Sequence, residues 1–182
     1  MIYPLSLELA LLVAGLLLIA AHAAALWKSG DAQEWLRALP RSKAMGWLLF
    51  TIAAVWAEIL VYVIDLGEFT PWRPKVLVLI PIAYFLTLRY VEEFLAARAL
   101  GMVVLLAAEP LLEAAFLRPE MSRLFLVTLV YVWVGLALFW IGMPYTLRDQ
   151  IGWITRSPSR WRVACISGLV YGALLLGVRA AL

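Results

Sequence analysis

Three runs without a formal charge, Leu9–Trp27, Leu124–Leu147 and Val163–Val178, constrain this chain more than any motif in it. Hydrocarbon offers a backbone no hydrogen-bond partners, so a segment crossing it must be a helix of roughly 20 mostly apolar residues. The three runs therefore read as one early and two late spans. Composition extends the same reading to the rest of the chain, which is 65% hydrophobic, 15% charged and has a mean hydropathy of +0.95. Soluble domains sit nearer half apolar and a quarter charged. That balance argues against a disordered chain, a disulfide scaffold and a nucleic-acid-binding domain.

Glu58 and Asp65 interrupt a fourth run, and Glu109, Pro110 and Glu113 a fifth, without ending either. Between them, Val76–Leu88 supplies only 13 uncharged residues, about 20 Å of helix at ~1.5 Å per residue. A crossing there must recruit the Arg73 side or run past Arg89. The fold class expected is all-α, a polytopic integral membrane helix bundle of about six transmembrane helices. The spans are placed at residues 5–27, 44–66, 74–92, 98–117, 124–147 and 163–181, in a single transmembrane domain over residues 1–182 with no extramembrane domain.

Lys and Arg set the orientation, because cytoplasmic connections carry them in excess. With the N-terminus outside, ten fall inside (Lys28, Arg37, Arg41, Lys43, Arg89, Arg98, Arg148, Arg156, Arg160, Arg162) and five outside (Arg73, Lys75, Arg118, Arg123, Arg179). Both termini are therefore expected outside, in a bacterial plasma (inner) membrane. Ala21-His22-Ala23 imitates a signal-peptide cleavage site, but the residues before the first apolar run hold Glu8 and no Lys or Arg. The segment is expected to stay as the first helix. Two connections stand out. Residues 28–43 suggest a short interfacial helix with Asp31 as N-cap and Trp35 and Leu39 on one face. Residues 148–162, basic and broken by Ser157-Pro158-Ser159, read as a turn or an unwound start to the last helix.

Charges inside a span cost at least ~2.5–3.5 kcal/mol on insertion scales, so they are the strongest pointers to function. Glu58, Glu109, Glu113 and Arg179 are the ion or proton candidates, with Asp65 and His22 weaker ones. Glu109 and Glu113 share a helix face one turn apart, as do Glu58 and Asp65 nearly two turns apart. Paired acids in an apolar setting favour protonation of one member. Pro110 also frees the carbonyl of Leu106. The functional reading is a proton or cation site; the competing one is a network in which Arg179 neutralises one carboxylate. Ala164, Gly168 and Gly172 make a small-residue stripe for close helix packing. Arg148, Arg156, Arg160 and Arg162 are candidates for lipid headgroups, although orientation alone accounts for them.

One cysteine, Cys165, and one histidine, His22, supply neither a disulfide nor a histidine-rich metal site. The chain carries no Walker A, HExxH, GxSxG or CxxC motif. No catalytic residue, metal or cofactor is assigned. The expected partners are membrane lipids and other membrane subunits or a homo-oligomer, with no nucleic acid. Small size, short loops and the lack of a catalytic motif favour a non-catalytic accessory or assembly subunit of a larger membrane complex. A proton- or cation-coupled transporter or channel is the alternative, and an integral lipid-modifying enzyme follows it.

Overall fold

The computed structural model describes Tyr3 and residues 5–91 and 93–182; no strand occurs among them. Eight α-helices follow one another: α1 (Leu7–Trp27), α2 (Ser29–Ala38), α3 (Lys43–Val63), α4 (Arg73–Tyr90), α5 (Leu95–Ala115), α6 (Arg123–Gly142), α7 (Tyr145–Thr155) and α8 (Pro158–Ala180). Local chemistry sets several boundaries. The Ser6 hydroxyl accepts from Leu9 N–H and the Ser42 hydroxyl from Met45 N–H, each at 3.2 Å, so α1 and α3 start on side-chain N-caps. Pro158 opens α8 at a position where its missing N–H costs nothing.

Five helices, α1, α3, α5, α6 and α8, are long and apolar enough to cross a membrane. Their directions follow from who meets whom. Gly15 on α1 faces Gly172 on α8, and His22 faces Gly168, so α1 and α8 are antiparallel. Gly101 on α5 meets Ala137 and Ile141 on α6, while Ala115 meets Arg123, so these two are antiparallel as well. Gly46 near the start of α3 abuts Ala96 near the start of α5, which makes that pair parallel. Two consecutive parallel helices need a return path, and α4 is that path. Its first residue, Arg73, donates to the Ile64 carbonyl just beyond α3, and Tyr84, near its other end, bonds Thr51. The return helix thus runs the height of α3.

These contacts place the ends of α1, α4 and α6, the starts of α3, α5 and α8, and all of α2 and α7 at one end of the bundle. That basic end carries Lys28, Arg37, Arg41, Lys43, Arg148, Arg156, Arg160 and Arg162. Tyr3 and the last turn of α8 lie at the opposite end. The main core joins Leu7, Leu11 and Ala14 of α1 to Ala108 and Ala115 of α5, Leu126 and Val130 of α6, and Leu175 of α8. Helices α3 and α4 flank it, packed through Phe50, Leu95 and Ala99. The ring of Phe50 stacks on Tyr84 at 5.5 Å between centroids.

Several sequence expectations need correction. The fifth span stops at Gly142, not at 147, because Met143-Pro144 breaks the helix and a separate α7 begins at Tyr145. Much of the connection read as a turn is therefore helical. The helix in the first connection is present, but its N-cap is Lys28; Asp31 lies in the first turn, where a carboxylate still complements the helix dipole. The third span, placed at 74–92, corresponds to α4 at Arg73–Tyr90, and Glu92 lies outside the described residues. Alone among the six long helices, α4 falls short of the apolarity of a span, since it carries Arg73, Lys75 and Arg89.

Candidate functional site

Parallel packing of α3 and α5, with Gly46 beside Ala96, puts Glu58 and Glu109 at nearly the same height. An apolar groove of about 350 Å³ runs just below them, lined by Ala54, Ala57, Ile80, Met102, Leu105 and Leu106 among others. Glu58 lies one turn beyond Ala54, and Glu109 one turn beyond Leu105 and Leu106, so both continue the stripes that line the groove. Oε2 of Glu58 is buried without a hydrogen-bond partner among the described residues. Glu109 is half-buried and makes no hydrogen bond or ion pair among the described residues.

The other acids and Arg179 do not join them. Glu113 accepts from the Tyr3 backbone N–H at 3.2 Å, and the Tyr3 hydroxyl accepts from Trp56 Nε1 at 2.8 Å, so Tyr3 bridges α5 and α3. Asp65 accepts from Gly67 N–H at 3.0 Å and shapes the turn after α3, where Gly67 takes a left-handed φ of 51°. Arg179 is exposed on the last turn of α8 and pairs with no carboxylate among the described residues. The network in which it neutralises an intramembrane acid is absent from this arrangement.

At the basic end, His22 donates from Nδ1 to the Leu18 carbonyl at 2.7 Å. Its ring lies directly over Gly168, where no side chain fits. Gly172 packs on Gly15 and Ile19, and Ala164 lines a groove between helices, so the small-residue stripe of α8 faces α1.

Helices α2 and α7 lie side by side at this end and are joined through Arg37. Its Nε donates to the Thr155 hydroxyl at 2.9 Å and its Nη2 to the Thr155 carbonyl at 2.7 Å. Thr155 is buried, and its hydroxyl donates onward to the Ile151 carbonyl at 2.8 Å. On one side of this junction is a pocket of about 380 Å³ lined by Arg37, Pro40, Arg41, Arg148, Ile151, Gly152, Thr155 and Arg156. On the other is an apolar groove of about 760 Å³ between α1, α2, α7 and α8. Ile151 and Thr155 belong to both walls. His22, Lys28 and Asp31 are its polar lining residues at the α1–α2 corner, and Trp161 lines it from α8 with an indole N–H that is buried and lacks an acceptor.

Four arginines line the smaller pocket, with the Arg37 guanidinium held by Thr155 and that of Arg148 lying over the Phe94 ring at 5.9 Å. Arg148 bonds Asp149 at 2.8 Å; both side chains are about half-exposed, so screening leaves that pair little strength. Arg41 and Arg156 have no hydrogen-bond or ionic partner among the described residues. Their place in the sequence groups Arg148 and Arg156 with Arg160 and Arg162. The fold divides them: Arg160 stacks on Trp153 at 4.6 Å, and neither it nor Arg162 lines the pocket. Arg37, Arg41 and Thr155 were missed, and the only signal for the first two was their place in the basic connection beside Pro40. No group of three His, Cys, Asp or Glu among the described residues is disposed to hold a metal. No protein family, curated protein or solved structure matches the chain.

Proposed function

We propose that this protein is a non-catalytic accessory or assembly subunit of a larger membrane complex, seating a transmembrane helix of another subunit against α3, α4 and α5. One observation carries the reading: the Glu58 carboxyl has a buried oxygen with no donor, beside an apolar groove left open between three helices. A buried carboxyl without a partner is costly in any apolar medium. A neighbouring helix presenting an amide, hydroxyl or cationic side chain at the height of Glu58 and Glu109 would supply what is missing. The second support is α4 itself, which buries no residue and packs chiefly on α3. In this reading α4 is the sixth crossing, both termini lie outside, and the basic end faces the cytoplasm of a bacterial plasma membrane.

Filling the groove tests it. Ala54→Trp should abolish stoichiometric co-purification of partner subunits in a mild detergent, read by native mass spectrometry, while the chain still inserts. Glu58→Gln, which keeps an acceptor, should retain the partner. Recovery of the unmodified chain only as a monomer or homo-oligomer would overturn the proposal.

Proton- or cation-coupled transport draws on the same unpartnered Glu58. It predicts the reverse: reconstituted flux lost in Glu58→Gln or Glu109→Gln, with no partner required. The engagement of Glu113 by Tyr3 and the apolar lining of the groove weigh against it.

A further inference from the structure

We infer that the α2–α7 junction is a binding site for an anionic membrane amphiphile, with a phosphomonoester or diphosphate head in the arginine pocket and an acyl or isoprenoid chain in the adjoining groove. The inference is independent of the subunit reading, because it concerns the opposite end of the bundle and different helices.

The head follows from charge and geometry. Arg37, Arg41, Arg148 and Arg156 line one pocket of about 380 Å³, and among the described residues Arg148 alone of the four is ion-paired, to Asp149. Guanidinium groups carry planar, forked donors that match phosphate oxygens two at a time. A headgroup with two negative charges offsets more of this excess than a diester with one. Arg37 is already held by Thr155 through two hydrogen bonds. Its ordering therefore precedes binding and costs the ligand little. Like charges gathered at one pocket with a single carboxylate beside them repel, and an anion offsets that repulsion.

The chain follows from the groove. Its volume of about 760 Å³ lies in the range of sites that bury most of a ligand of drug or lipid-tail size. Ala21, Ala24, Ala25, Ala32 and Ala164 give it a smooth apolar lining. Trp161, 4% exposed, brings to that lining an indole N–H without an acceptor, which an ester or ether oxygen near the head can satisfy. Position agrees as well. Exposed Trp27 and Trp35 and the basic connections lie at this end, the level at which anionic headgroups meet polybasic segments.

The test uses the purified full chain, titrated in detergent with phosphatidic acid, with phosphatidylcholine of the same chains, and with inorganic phosphate, bound lipid being counted by native mass spectrometry. One phosphatidic acid should bind, well ahead of phosphatidylcholine. Arg41→Gln with Arg156→Gln should weaken it about tenfold or more. Arg160→Gln with Arg162→Gln removes the same charge outside the pocket and should change affinity less than about twofold. Ala164→Phe, which narrows the groove, should weaken phosphatidic acid and leave phosphate unaffected. Thermal melting of each variant separates lost binding from lost fold. Equal losses in the two arginine pairs would reduce the effect to diffuse attraction and overturn the site. Inorganic phosphate binding as tightly as phosphatidic acid would make it a site for a soluble anion and overturn the amphiphile.

Discussion

His22 and Gly168 illustrate how single side chains divide the labour in this bundle. A lone histidine at the end of a span invites a role as ligand or proton relay. Here one ring nitrogen is engaged by the Leu18 carbonyl and the ring occupies the space that only a glycine leaves open. Gly168→Ala should therefore lower the melting temperature through overpacking, a loss of about 1–3 kcal/mol. Removing the opposing ring in the His22→Ala background should relieve most of that loss, so the double-mutant cycle reports a coupling. Gly135→Ala on α6 is the matched control, because a Cβ there meets nothing within 4 Å. It should be neutral or stabilising by up to about 1 kcal/mol of helix propensity. Additive losses in the cycle would show that the ring and the glycine are not packed as described. At this scale the sequence was informative only in part. It picked out His22 and Gly168 separately, since each is unusual in its segment. Their pairing joins positions 22 and 168 through an antiparallel contact that no local pattern encodes.

Elements were legible where burial in lipid dictates the pattern. Charge-free runs of span length can be little else than transmembrane helices, so α1, α6 and α8 are readable within a few residues. Misreading set in where polarity no longer distinguishes one helix from the next. The uncharged run 124–147 passes through Met143-Pro144 unbroken, so hydropathy alone extends α6 into what is really the start of α7. Amphipathic α7 itself looks like a polar loop until its buried face, Leu147, Ile151 and Thr155, meets α2. The same limit hid the arginine pocket, whose two halves lie more than a hundred positions apart; Arg37 and Thr155 are separated by 118. That contact supports a prediction about elements. Thr155→Val removes the hydroxyl acceptor for Arg37 and leaves its carbonyl acceptor in place. The expected result is faster amide exchange across Ser29–Ala38, with exchange in α1 and α8 unchanged. A loss of about 1 kcal/mol suffices, because Arg37 is solvent-exposed and its bonds are screened. Uniformly raised exchange would instead mean that α2 and the spans unfold together.

For the whole molecule, α4 decides the topology. Three cations within its 18 residues leave α4 without a stretch apolar enough to count as a span, and a chain with five crossings would put its two ends on opposite sides of the membrane. Packing argues otherwise. α3 and α5 run parallel, each starting at the basic end, and Arg73 and Tyr84 tie α4 to the far and near ends of α3. Five crossings would require α5 to start on the side where α3 ends, which reverses that contact. The cations are compatible with crossing because of where they sit. Arg73 and Lys75 lie in the first turn and Arg89 in the last, so in a crossing helix these long side chains would reach the two interfaces with Val76–Leu88 between them. Lys75 also stacks on Trp72 at 4.4 Å, an aromatic and cation pairing suited to an interface. If α4 crosses, local thinning of the bilayer would meet the remaining shortfall in length at fractions of a kcal/mol per Å. Single cysteines in a Cys165→Ala background read the outcome directly with a membrane-impermeant maleimide on intact cells. Glu68→Cys, after α3, and Ala181→Cys, after α8, should label from outside, and Ser159→Cys, at the start of α8, only after the membrane is opened. Labelling of Glu68→Cys but not Ala181→Cys from outside would mean that α4 does not cross, and the parallel contact of α3 with α5 would fall with it.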